Sequence, residues 1–192
     1  MTAETLVAAA GGWSRIARRI RVPLGFAFAV VYLWLANPAP AMLAIGSILV
    51  AAGLAIRAVA SGQLRKNESL ATSGPYSYTR NPLYLGSILI GIGFAVAARS
   101  FWIWILLATM FTVIYVPVIR SEEAFLRSQF PDFAPYASRV PRLAPRWSGE
   151  SLTANFSRAL YIKHREYNAL VGAVLMMLAI AVKMFAMRSA GT

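Results

Sequence analysis

Five apolar runs punctuate the chain, each bounded by residues that break or polarise a helix. The first opens at Pro23, tolerated in a first helical turn because its missing N–H would be unpaired there anyway, and runs to about Ala36. Asn37-Pro38-Ala39-Pro40 interrupts it before a second run from Ala41 to about Ala60, so the two read as a helical hairpin. A polar stretch, Ser61 to Arg80, follows. Pro82 opens a third run to about Ala98, Ala97-Ala98-Arg99-Ser100 turns the chain, and a fourth run spans Phe101 to Ile119, its end expected to bend at Pro117. From Arg120 to Tyr167 the chain is polar and punctuated by proline, and a fifth run covers Asn168 to Met187. Crossing a ~30 Å hydrocarbon core takes about 20 apolar residues, so only the first run is somewhat short. The pattern predicts an all-α integral membrane protein of about five transmembrane helices, without internal repeat.

Composition agrees. Of 192 residues, 58% are hydrophobic and 14% charged, where soluble domains carry roughly 25% charged residues. The apolar runs cover nearly the whole length, so residues 1–192 read as one membrane domain. There is no Cys, which removes disulfide and thiolate chemistry, and the single His164 argues against a His-based metal site. Carboxylate-bound divalent ions stay open, and no metal site is assigned. The net charge of +12 resides on residues that flank apolar spans rather than interleaving with aromatics. Anionic lipid headgroups, not nucleic acid, are the partners that this distribution suits.

Charge also orients the spans. Sixteen basic residues fall before the first run, between Arg57 and Arg80, or between Arg120 and Arg165, and only Arg99, Lys183 and Arg188 fall at the opposite ends. The positive-inside rule then predicts a cytoplasmic N-terminus, a C-terminus on the other side, and both polar segments at the cytoplasmic face, where they can build one site. Arg15, Arg18, Arg19 and Arg21 beside Trp13, Ile16 and Ile20 read either as an interfacial helix or as a topology signal alone. A cleaved signal peptide is disfavoured, because four more apolar runs follow.

The chemistry concentrates between residues 60 and 145. Glu68-Ser69-Leu70-Ala71-Thr72-Ser73-Gly74-Pro75-Tyr76 leads into Arg80-Asn81-Pro82-Leu83-Tyr84-Leu85-Gly86, and after the fourth run come Glu122-Glu123-Ala124-Phe125-Leu126, Phe130, Tyr136 and Val140-Pro141-Arg142. In order and spacing these resemble the isoprenylcysteine carboxyl methyltransferases and related phospholipid methyltransferases, whose pattern runs roughly L-V-T-x-G-x-Y, R-H-P-x-Y-x-G, then E-E with V-P. The resemblance implies an S-adenosylmethionine-dependent methyltransferase acting on a lipophilic acceptor. It implies cofactor contacts at Ser69, Leu70, Ala71, Tyr76, Asn81, Pro82, Leu83, Tyr84 and Glu122.

The residue types suit that cofactor on their own terms. Its sulfonium, ammonium, adenine and carboxylate need acidic acceptors, an apolar slot and an anion contact. Glu122 and Glu123 supply acceptors, Tyr76 and Tyr84 supply rings and cation-π faces, and Arg80 can meet the carboxylate. Plainer readings exist for each piece. Ser121-Glu122-Glu123 also reads as the cap of a new helix, with Glu123 paired to Arg127 at i, i+4. Gly74-Pro75 and Asn81-Pro82 also read as turn chemistry, and Gly91-Ile92-Gly93, which resembles a glycine motif of phospholipid methyltransferases, also reads as a close-packing device.

Two departures bear on the acceptor. Asn81 stands where the carboxyl methyltransferases usually carry His, so an imidazole cannot act there although an amide can still hydrogen-bond. Their substrate-binding Arg falls four residues before the first Glu, which here is Val118; Arg120 lies about half a helical turn away. The C-terminal segment, residues 146–192, carries Lys163-His164-Arg165-Glu166-Tyr167 at a membrane boundary, read either as an interfacial anchor or as part of the acceptor site. A carboxylate acceptor needs no base. An amine or thiol must lose a proton, which would give His164, Glu166 or Glu123 a role, and Arg120 is the remaining catalytic candidate. A sterol-type NADPH reductase and a non-catalytic lipid-binding scaffold are the alternative functions.

Overall fold

Gly46 and Gly53 lie seven residues apart, as do Gly86 and Gly93, so each pair recurs every two turns on one helix face. The computed structural model, which describes residues 26–190 apart from Asn67 and Ala154, shows why. After a first helix α1 (Phe26–Leu35), helix α2 (Pro40–Ser61) packs antiparallel against α4 (Pro82–Ala98) with these glycines face to face. A Cβ on Gly46 would come within 2.5 Å of the Gly93 carbonyl oxygen, and one on Gly53 within 2.6 Å of the Gly86 carbonyl. Only glycine permits that approach. In a bilayer, where lipid tails compete for apolar contact, close backbone packing of this kind drives helices together. Gly93 therefore belongs to the packing seam.

The fourth run departs from expectation. Helix α5 (Phe101–Met110) passes through a π-helical turn, Phe111–Tyr115, into α6 (Val116–Gln129) without a break, giving one helix from Phe101 to Gln129. Pro117 has no N–H for the Val113 carbonyl and its ring crowds it, so the disturbance falls a turn before the expected bend and is absorbed by the wider turn. No new helix begins at Ser121. The capping account of Glu122 and Glu123, and with it the helix-dipole benefit, is thereby overturned, since both acids sit inside a continuous helix. Three short helices occupy the polar segments: α3 (Pro75–Tyr78), α7 (Phe133–Arg139) and α8 (Arg158–Lys163). Helix α9 (Tyr167–Ala190) closes the fold.

Among the described residues α2, the α5–α6 helix and α9 are long and apolar enough to cross a membrane, and α1 and α4 are shorter apolar helices. Their outward faces, with Trp34, Ile48, Trp102, Leu175 and Phe185 exposed, suit lipid. The chain is an all-α integral membrane protein. The stretch before Phe26, including Arg15 to Arg21 and Pro23, lies outside the described residues.

The helix ends sort into two groups. At one end Asn37 N–H donates to the Ala98 carbonyl (2.8 Å), and Tyr32, fully buried, donates to the Phe94 carbonyl (3.0 Å). At the other, α2 ends, α4 and α9 begin, and the two polar segments meet.

Candidate functional site

The polar segment after α2 is irregular until Gly74, whose φ of +58° a residue with a Cβ tolerates poorly and whose missing side chain leaves room for Gln63. That turn starts α3, and the chain beyond it is pinned from across the molecule. Tyr136 Oη donates to the Tyr76 carbonyl (2.7 Å), Arg80 N–H to the Pro141 carbonyl (2.9 Å), and the Asn81 amide to the Arg142 carbonyl (3.0 Å). The Arg-Asn-Pro motif and the Val-Pro-Arg motif, about sixty residues apart in sequence, thus form one structure.

Glu123 ties that structure to α6. Its carboxylate, almost buried, accepts from Arg142 Nη2 (2.7 Å) and Nε (3.0 Å) and from the Asn81 amide (3.3 Å), and Arg80 Nε stands 3.6 Å away. The Arg142 guanidinium is raised above its ordinary value by the hydrogen bond and charge of Glu123. The expected Glu123–Arg127 pair does not form; Arg127 lies over the Phe133 ring instead. Arg80 Nε faces Glu123, and the side chain also lines a surface groove with Arg139, Pro141 and Arg146.

Glu122 points elsewhere. It shares a side-chain hydrogen bond with Tyr84 of α4 and feels the charge of Lys66. Tyr84 in turn meets Tyr115, at the π-helical turn, edge to face at 5.6 Å. Tyr76 lies near this group. It is 7% exposed, and its hydroxyl has no hydrogen-bond partner among the described residues. Burial raises it well above the ordinary phenol range, as do Tyr136, Glu122 and Glu166, with Arg57 opposing, so it stays a neutral donor and acceptor. Tyr136 is raised too, by burial and Glu123 against Arg80.

Glu166 receives Arg57 in a two-pronged pair: Nη2 donates at 2.9 and 2.8 Å and Nε at 3.0 Å. Both side chains are mostly buried. Arg57 Nη1 continues to the Leu83 carbonyl (3.2 Å) and to Ser87. His164 Nδ1 lies 3.1 Å from the Ser61 carbonyl. A carbonyl only accepts, so Nδ1 is the donor in this contact.

The structure thus joins Tyr84 of α4 to Glu122 of α6, sets Tyr76 of α3 within electrostatic range of Glu122, gathers Arg80, Asn81 and Glu123 into one scaffold, and buries Pro82 at the start of α4. Ser69 is exposed and Leu70 and Ala71 half-buried on the irregular stretch, and Arg120 is exposed on α6. Sequence reasoning missed Arg57, Arg142 and Tyr136 as members of the site. Arg57 had a signal, being a lone charge within an otherwise apolar run, where ionisable groups tend to be functional; it was read as part of the basic flank.

Glu122 as an acidic acceptor and the Tyr84 ring suit the cationic groups of S-adenosylmethionine, so these residues fit that part of the group. The phospholipid methyltransferase family profile matches residues 39–132. Among curated proteins the chain is 47% identical over 90 residues to the cobalt-zinc-cadmium resistance protein CzcN of Cupriavidus metallidurans, covering 45% of this chain and 42% of that one. It is 40% identical over 84 residues to the nickel-cobalt-cadmium resistance protein NccN of Alcaligenes xylosoxydans, covering 44% and 39%. It is 29% identical over 100 residues to the protein-S-isoprenylcysteine O-methyltransferase of Schizosaccharomyces pombe, covering 52% and 42%. The matched segment thus spans about two fifths of the length of these relatives. No solved structure matches the chain. With α2, α4 and the paired glutamates inside it, the segment 39–132, about half of the chain, matches the phospholipid methyltransferase family.

Proposed function

We propose that the chain transfers a methyl group from S-adenosylmethionine to a lipophilic acceptor held at the membrane. The observation that carries this reading is the convergence of Glu122, Tyr84 and the unpartnered Tyr76 hydroxyl beside a buried ion pair. When bound, S-adenosylmethionine supplies a methyl group already activated on sulfonium. Glu122, oriented by Tyr84, accepts from the cofactor's donors; the Tyr84 ring offers a face to positive charge; Tyr76 supplies a neutral hydroxyl. Glu123, closed by Arg142 and Asn81, holds the motifs in register rather than touching ligand. Alignment of the reacting atoms is the main help such a site gives, worth roughly 7 to 11 kcal/mol at the upper end. The acceptor's lone pair forms the new bond to the methyl carbon as the carbon–sulfur bond breaks, its electrons staying on sulfur. The bias of sixteen basic residues against three supports a cytoplasmic site end.

Titration of the purified chain with S-adenosylhomocysteine and with NADPH tests this. Saturable binding of S-adenosylhomocysteine alone is expected; binding of NADPH would favour a reductase, and binding of neither a lipid-binding scaffold. Reporter fusions at the two termini are expected on opposite sides of the membrane. Both on the cytoplasmic side would remove one span from the count.

A further inference from the structure

Where α5 passes into α6, the Val116 N–H donates to the Phe111 carbonyl, five residues back instead of four. Such a turn holds one residue more than an α-helical turn, so each residue beyond it faces about 100° away from where an unbroken α-helix would point it. The two halves of the helix answer to different neighbours. α5 is anchored by Ile103, fully buried in the core, with Leu107 packed against the same cluster. α6 carries Glu122 and Glu123 to the polar end. An α-helix continued from the Ile103 anchor would swing Glu122 off Tyr84 and Glu123 out of the Arg142 hub. The wider turn reconciles the two.

Tyr115 ends that turn. It lies seven residues, about two α-helical turns, before Glu122, so the two project from one face of the helix. Both reach the same residue of α4. The Tyr115 ring meets the Tyr84 ring edge to face at 5.6 Å, and Glu122 shares its side-chain hydrogen bond with Tyr84. Behind Tyr115 the Phe111 ring, from the start of the turn, stacks at 5.7 Å with 18° between the planes. The Tyr84 hydroxyl sits at the tip of a side chain whose direction is set by its first torsion, and the ring contact holds that torsion from the side.

We infer that Tyr115 is a positioning residue for the cofactor site: placed by the π-helical turn and backed by Phe111, its ring fixes Tyr84, and Tyr84 in turn aims the Glu122 carboxylate at the cofactor's donors. The inference rests on the methyl-transfer reading and deepens it. It extends the site into an apolar run, to a residue outside the motifs that mark the chemistry.

The test measures S-adenosylhomocysteine binding by calorimetry on the full chain in one detergent, with thermal unfolding of each preparation alongside. Tyr115→Leu removes the ring and should weaken binding about three- to tenfold, the scale of one aromatic pair. Tyr115→Phe keeps the ring and should recover most of that affinity. Coupling is the readout that packing alone would not move. With Glu122→Gln in place, Tyr115→Leu should cost little further affinity, because the carboxylate that Tyr84 aims is gone. Phe111→Leu, one ring further from the site, gives a second reading: a smaller loss with the same dependence on Glu122. Undiminished affinity in both leucine variants, or an equal loss with and without the Glu122 carboxylate, would overturn the inference. Absence of S-adenosylhomocysteine binding to the unmodified chain would instead sink the methyl-transfer reading, so the two failures are separable.

Discussion

The two ends of the helix bundle spend their polar groups differently. At the end where α1 stops and α5 begins, the half-buried Lys183 sits against backbone, its ammonium donating to the carbonyls of Leu33 (2.6 Å), Trp34 (3.2 Å) and Ala36 (2.6 Å). A helix leaves its last four carbonyls unpaired, and hydrocarbon offers them no water, so Lys183 satisfies what α1 cannot. At the opposite end cations meet acids, in Arg57–Glu166 and Arg142–Glu123, and after those pairs close there are groups left over: the Tyr76 hydroxyl and the carboxylate of Glu122 beside Tyr84. A polar cluster that closes on itself holds the fold, and one that leaves capacity unused can hold something else.

Removing the hub should have the largest effect. Glu123→Ala strands the mostly buried Arg80 and frees the half-exposed Arg142, and is expected to cost about 3 kcal/mol of stability. Thermal unfolding in one detergent would show it; a shift within error would mean that the hub is dispensable.

Lys183→Met should rank next. It leaves three carbonyls without their donor and should cost about 1.5 to 3 kcal/mol, while S-adenosylhomocysteine affinity in the folded fraction stays unchanged. A loss of affinity as large as the loss of stability would dissolve the distinction between the ends.

Glu122→Gln should behave in the opposite way, with stability nearly unchanged and S-adenosylhomocysteine affinity down about 10-fold to 100-fold, the equivalent of roughly 1.5 to 3 kcal/mol. Since Glu122 caps no helix end, a dipole effect cannot account for such a loss. Unchanged affinity in calorimetry at fixed pH and salt would remove Glu122 from the site.

The smallest change is at Tyr76→Phe, which deletes a hydroxyl that the protein leaves unpartnered. Stability should hold or rise slightly, because an unsatisfied buried group disappears, and cofactor affinity should fall a few-fold. A clear loss of stability would show that the hydroxyl serves the fold.

Much of the architecture was legible in the chain. Pro82 and Arg99 bracket α4 where the sequence places its run, and Pro40 and Ser61 bracket α2 within a residue of the expected limits. Proline at a first turn and polar residues at a boundary act locally, so they can be read without neighbours. The α5–α6 helix was misread at its end because a polar Ser-Glu-Glu triplet looks the same as a cap and as the polar continuation of a helix; what decides is whether acids such as Glu123 find partners across the fold.

The two glutamates show most sharply where sequence stops. Their adjacency was visible and so was their tie to the Arg-Asn-Pro and Val-Pro-Arg motifs, since motif order survives in one dimension. That successive helical residues point about 100° apart, sending Glu123 into the Arg142 hub and Glu122 to Tyr84, depends on where α4 lies, and α4 is fixed by backbone contacts at Gly46, Gly53, Gly86 and Gly93. Arg57 makes the same point over 109 residues of chain: its charge was readable, but its partner Glu166 was not. Sequence by itself determined the membrane class, the apolar helices and the family resemblance, because hydrophobicity, proline and motif residues carry their effects locally. Which charges close on each other and which stay open was decided only by the tertiary structure, because pairing depends on distances of about 3 Å between side chains that the chain order leaves unspecified.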